Sequence, residues 1–157
     1  MKLLSFLGMF LIITSFTFGQ NNDQNWARVN FEYSSRMYVD LNSIQNVNDT
    51  LISVWTMEEN FPPLTIESVK DKIYKSKTFY AFNKALMKYS LFEIIYFDEK
   101  DNVLNSFSYR RNSANRDYQY NYPIIEGSIE EAIFYKCYKH IKGTEWEILS
   151  EIGKIKF

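Results

Sequence analysis

Polar and apolar positions alternate at period two through most of the chain, and the period lengthens to that of a helix only near its end. Strands are expected at "WARVNFEY" (26–33), "RMYVDL" (36–41) and "LISVWTM" (51–57). In the third of these, Ile52, Val54 and Thr56 share one face and Leu51, Ser53, Trp55 and Met57 the other. "NSIQNVND" (42–49) reads as turn, and Pro62 and Pro63 are expected to break regular pairing. Residues 65–72 read as loop or one short turn. "IYKSKTFYAF" (73–82) then alternates as a strand with one wet face does. After the tight connection "NKA" comes the longest strand candidate, "LMKYSLFEIIYFD" (86–98). In it Met87, Tyr89, Leu91, Ile95 and Phe97 recur at period two, interrupted by Glu93, which an edge location or pairing with a lysine would explain. "DEKDN" (98–102) is a charged turn, and "VLNSFSYR" (103–110) returns from it. Short turns between consecutive strands imply antiparallel hairpins, because parallel pairing needs a long crossover.

From Ser128 the period changes. Ile129, Ile133, Cys137 and Ile141 follow at spacings of four, with Phe134 and Tyr138 beside them, the stripe of an amphipathic helix lying on a sheet. Ser128 and Glu131 form an S-x-x-E capping box at its start, and Gly143 can end it in a left-handed conformation. "TEWE" (144–147) repeats the capping pattern, while the tail "IGKIKF" reads equally as an edge strand. The expected fold class is α+β: an antiparallel meander of about six strands with a C-terminal helix packed on one face.

The first residues change the picture of where this fold operates. Lys2 precedes an apolar run from Leu3 to Phe18, and Thr17 and Gly19 set small residues at alternate positions before Gln20. That is the layout of a secretory signal peptide over residues 1–19, too short for a comfortable membrane span. Removing it from 157 residues leaves 138, with Lys2 the one charge lost, so the net charge moves from −1 to −2. Residues 20–25 read as a disordered leader and 26–157 as one domain. The near-neutral balance argues against a nucleic-acid partner or an anionic membrane. No transmembrane segment is expected after signal removal, and the location is periplasmic, cell-surface or secreted. The 12 Tyr and 13 Phe favour half-buried pleated surfaces.

Candidate chemistry is sparse. The only cysteine and the only histidine, Cys137 and His140, lie three apart on the predicted helix, with Cys137 on the apolar stripe. A thiol nucleophile needs partial exposure, a lowered pKa and a base oriented by a third group; a core-facing thiol has none of these. Asp40 ends a strand and is placed for an Asx-turn rather than for acid–base work. "DEKDN" lacks the glycine and the distant Glu of a calcium loop. One His and one Cys do not make a closed zinc site, and 5 glycines include no phosphate-binding loop, so no cofactor and no metal are expected. The remaining candidate is "YRRNSANRDYQYNY" (109–122). Arg110, Arg111 and Arg116 precede Tyr118, Tyr120 and Tyr122, two residue types enriched at binding hot spots. The competing reading of that stretch is an edge strand with solubilising neighbours.

"WARV" (26–29), "MYVDLNSI" (37–44), "VW" (54–55), "YKSKT" (74–78), "YFDEKDNVLNS" (96–106) and "GSIEEAIFYKC" (127–137) occur in the order seen in the bacterial surface-adhesin protein E-like domain. From Trp26 to Cys137 the chain resembles that family. The resemblance implies a non-enzymatic surface module contacting host or matrix proteins, with a homodimer as a candidate assembly. It also implies that Cys137 is the remnant of a strand-to-helix disulfide whose other position falls near Lys84, where no cysteine stands. Glu126 departs from the family, which has proline before Gly-Ser, and no motif here matches the family's binding residues. The alternative is a periplasmic structural or accessory protein that binds an envelope partner or glycan through the tyrosines.

Overall fold

The computed structural model describes residues 24–31, 36–47, 50–109 and 122–143. Eight strands form one antiparallel sheet: β1 (Trp26–Arg28), β2 (Arg36–Asp40), β3 (Gln45–Val47), β4 (Leu51–Leu64), β5 (Ile73–Asn83), β6 (Lys88–Phe97), β7 (Val103–Ser108) and β8 (Tyr122–Pro123). The main order is β1-β2-β4-β5-β6-β7, a meander in which β3 adds to β4 and β8 to β6. A single α-helix among the described residues, α1 (Ile129–Lys142), packs against one face.

The segment expected as turn after β2 contains more structure than that. A 3-10 turn at Leu41–Ser43 steps the chain sideways, and β3 then resumes pairing on the same edge of β4 that β2 occupies. β2 covers Thr56 to Glu59 of β4, and β3 covers Leu51 to Ser53. Between them the Ser43 hydroxyl accepts the Trp55 amide at 2.9 Å and donates to the Asp40 carbonyl at 2.8 Å, so a side chain fills the gap in the ladder. Asn25, assigned above to the leader, is placed against the end of β2, and Gln24 accepts from the side chains of Trp26 and Lys77. The Asn25 amide donates to Asp40 Oδ1 at 2.9 Å, and its carbonyl accepts from Leu41 at 2.9 Å.

The prolines do not end β4. It runs on to Leu64, with a cis Phe61–Pro62 peptide, while its pairing with β5 slips between Glu59 and Leu64. Neither proline can donate to a ladder, and the loss shows as a register shift rather than a break.

Glu93 also differs from expectation. β6 is an interior strand, flanked by β5 and β7, and Glu93 accepts from the Ser106 hydroxyl at 3.1 Å instead of pairing with a lysine. Its interruption of the period has a backbone cause. Phe79 pairs with Glu93 but Tyr80 pairs with Leu91, so Phe92 is an extra residue on β6 and the inward set changes parity there.

The core lies between α1 and the sheet. Val39, Ile52, Val54, Phe82, Ile133 and Cys137 are fully buried. Each such aliphatic or aromatic side chain contributes about 1.5–3 kcal/mol by leaving water. Phe134 of α1 lies 5.8 Å from the Phe82 ring, which stacks on Tyr80 at 5.6 Å. The opposite face carries Trp55, Phe79 and Phe92 in a tilted row with centroids 5.1 and 6.2 Å apart, all half-buried.

α1 is closed chemically at both ends. Ser128 Oγ accepts the Glu131 amide at 3.2 Å, and Glu131 Oε2 accepts from Gly127 at 2.7 Å, one residue before the capping serine. Glu130 and Glu131 sit in the first turn and Lys139, His140 and Lys142 in the last, each set complementing the helix dipole. Gly143 ends the helix at φ 52°, a value that favours glycine, with its amide bonded to the Lys139 carbonyl.

Candidate functional site

Cys137 lies under α1 with no exposed surface, one turn from the fully buried Ile133. Burial pushes its thiol up to about 12, and neither its own backbone hydrogen bond nor Lys136 offsets that. His140 is on the exposed side of the helix. The sulfur thus faces the core and the imidazole the solvent, which does not suit a nucleophile–base pair.

Near the position where a partner cysteine would stand, the Lys84 ammonium lies over the Tyr138 ring at 5.9 Å and donates to Asn46 Oδ1 at 3.1 Å. A cation–ring contact therefore joins the end of β5 to the helix residue next to Cys137.

Asp40 is buried and accepts from two amides through Oδ1, Asn42 at 3.1 Å and Asn25 at 2.9 Å. The carboxylate ties the start of β1 to the 3-10 turn. At "DEKDN", Asp98 accepts from the amides of Lys100 and Asn102, both at 2.8 Å, and from the Asn102 side chain. Those bonds, the Asn102 side chain first, hold its carboxyl below the usual range. Among the described residues, no three His, Cys, Asp or Glu side chains are grouped as a metal ion requires. No helix among them is long and apolar enough to cross a membrane.

Of the Arg/Tyr candidates, Arg110, Arg111, Arg116, Tyr118 and Tyr120 lie outside the described residues. Tyr122 is described. It opens β8, pairs with Tyr89 of β6, is 45% exposed and stacks on the Tyr89 ring at 5.4 Å. Tyr89 is half-buried, and its hydroxyl is pushed up to about 12, by burial first and then by Glu130, with which it is hydrogen-bonded.

A second site, not singled out by sequence, opens where α1 begins. An open cleft of about 670 Å³ lies between the far end of β4 and the first turn of the helix. Phe61, Pro62, Pro63 and Leu64 form one wall, Ser128, Ile129 and Glu130 the other, and Met37 and Tyr80 belong to the floor. The row Ile52, Val54, Thr56, Glu58, Asn60 points toward α1 by strand alternation. Its last two members are polar and line this cleft.

Asn60 is only 3% exposed, and among the described residues its Nδ2 has no hydrogen-bond partner. Buried amides are nearly always satisfied, so such a group marks either a cost to stability or a place for a ligand. Burial, then Glu130, Tyr89 and Glu58, raises the Tyr80 hydroxyl well above its ordinary value. Both carboxylates thus act on the cleft floor. The signal available in the sequence was the polar pair continuing an inward-facing row up to two prolines.

No curated protein and no solved structure was found to match the chain. The family model for surface-adhesin protein E matches residues 26–137. That span runs from the first residue of β1 to the buried cysteine of α1, and it holds every described strand of the sheet. The chain belongs to the surface-adhesin protein E family.

Proposed function

We propose that this protein is an exported, non-enzymatic binding module that works at the cell surface and contacts host or matrix proteins. The observation that carries the reading is the family match over residues 26–137. The burial of Cys137 away from His140 is consistent with it, because the one thiol–imidazole pair in the chain is not assembled. Residues 1–19 are assigned as the signal peptide, 20–25 as a leader and 26–157 as the single domain. Arg110, Arg111, Arg116, Tyr118, Tyr120 and Tyr122 are assigned to partner contact, since arginine and tyrosine bury large area at low ordering cost. Cys137 is assigned as the remnant of a strand-to-helix disulfide, and a homodimer as the candidate assembly.

Protease treatment of intact cells tests the location. Digestion of the protein is expected, and its survival in cells whose surface proteins are removed would place it in the periplasm and point to an envelope partner instead. Capture of immobilised matrix proteins by the purified protein tests the activity. Replacing Tyr118, Tyr120 and Tyr122 together with serine is expected to leave Tm within a few degrees and to abolish that capture. A collapse of Tm would make those rings part of the core and remove them from the interface.

A further inference from the structure

The cleft at the start of α1 brings together three features: a buried side-chain amide, two carboxylates and apolar walls. Asn60 keeps a donor buried and unpartnered at its base. Leaving such a group unsatisfied destabilises the fold, and an apolar residue of the same shape would remove that cost. Two carboxylates, Glu58 and Glu130, line the cleft, while among the described residues no lysine or arginine lines it. Arg36, which lies over the Phe61 ring at 5.5 Å, is already paired with Glu59 at 3.8 Å. The walls between the polar groups are apolar, from Met37, Phe61, Pro62 and Leu64.

A helix N-terminus ordinarily attracts anions. Here that attraction is already answered. Ser128 and Glu131 take the Glu131 and Gly127 amides, and two glutamates occupy the first turn. An anionic ligand would meet the carboxylates of Glu58 and Glu130, with no counter-charge among the described lining residues. A cation would meet two carboxylates and aromatic faces, which suit an ammonium or guanidinium on an apolar stem. The volume falls within the ~300–1,000 Å³ of pre-formed ligand sites.

We infer that this cleft binds a lysine or arginine side chain of an extended polypeptide, with Glu58 and Glu130 as counter-charges and Asn60 Nδ2 donating to a neighbouring main-chain carbonyl. The inference deepens the binding-module reading and rests on it. The stem of the basic side chain lies along Met37, Phe61 and Pro62, and the unpartnered amide supplies the directional bond that orients the backbone.

The test titrates the purified protein with N-acetyl-Gly-X-Gly-amide peptides, X being lysine, arginine, norleucine or glutamate. Binding is followed by NMR at the Asn60 side-chain amide and the Ile129 and Glu130 backbone amides. Lysine and arginine peptides are expected to bind roughly tenfold more tightly than norleucine, to weaken with added salt, and to shift the Asn60 signal. Glutamate peptides are expected not to bind. Glu58→Gln and Glu130→Gln should each bring lysine down toward norleucine. Asn60→Leu should keep or raise Tm and weaken every peptide.

Equal affinity for all four peptides, no shift at these amides, or unchanged binding by Asn60→Leu would overturn the inference. Preferential binding of a neutral oligosaccharide at the same amides would overturn it as well. The two readings fail separately. Lysine-peptide binding without capture of matrix proteins sinks the adhesin reading and leaves the cleft assignment standing. Capture that survives both glutamate substitutions and Asn60→Leu does the reverse.

Discussion

At the scale of single residues, position relative to the sheet decides what each reactive group does. Cys137 and His140 are neighbours in sequence, yet one faces the core and the other solvent. Labelling of native Cys137 by a thiol reagent is therefore expected to be slow and limited by unfolding, and to become fast in denaturant. Rapid labelling of the folded protein at neutral pH would contradict the buried thiol. The same burial links folding to pH. The Cys137 thiol is raised from 9.0 to about 12, and the Tyr89 hydroxyl from 10.0 to about 12. The protonated forms are thus favoured in the folded state. Their contribution is fully present below the unfolded values and is lost as pH climbs from about 9 toward 12. Denaturant unfolding should give stability independent of these groups below pH 9, falling above it. A Cys137→Ala variant should show a weaker alkaline fall, and an unaltered one would remove the thiol from the linkage.

At the scale of elements, backbone accounting explains where the strands and helix begin and end. β2 and β3 share one edge of β4, and Ser43 bridges the step between them with its hydroxyl. The extra residue Phe92 turns the inward row of β6 over, which is why Glu93 interrupts the pattern. α1 depends on its caps as much as on its stripe. Ser128→Ala is expected to destabilise the protein by about 1 kcal/mol, the usual worth of an N-cap. Glu131→Gln, whose amide oxygen can still accept the Gly127 amide, should cost less. Chemical denaturation measures both, and a neutral Ser128→Ala would mean that packing alone holds the first turn.

At the scale of the whole molecule, α1 closes one face of the sheet and supplies much of the buried core. Ile133 has no exposed surface and packs in the cluster with Val39, Ile52, Val54 and Phe82. Ile133→Ala is expected to cost about 2–5 kcal/mol, seen as a lower denaturation midpoint with the sheet and helix unfolding together. Separate transitions by near- and far-ultraviolet dichroism would show that α1 is not integral to the fold. The far face keeps its Trp55–Phe79–Phe92 row half-buried, and Lys77 lies over the Trp26 and Phe97 rings at 5.5 and 5.6 Å. Burial there, followed by the charge of Lys75, lowers the Lys77 ammonium.

Much of this architecture was legible in the residue pattern, for a physical reason: period and capping are local. Alternation in "LISVWTM" and "IYKSKTFYAF" places Ile52, Val54 and Phe82 inward whatever the sheet does elsewhere. The four-residue stripe with Ser128 and Gly143 defines a helix with ends. What a strand pairs with is not local. The continuation of β4 through Pro62 and Pro63, the bulge at Phe92 and the second use of β4's edge by β3 arise from registers between distant segments. The cleft is of the same kind. Glu58 and Asn60 lie 72 and 70 residues from Glu130 along the chain. Only the docking of α1 across the sheet brings their polar groups to one space, and only burial turns the Asn60 amide from an ordinary polar side chain into an unanswered donor.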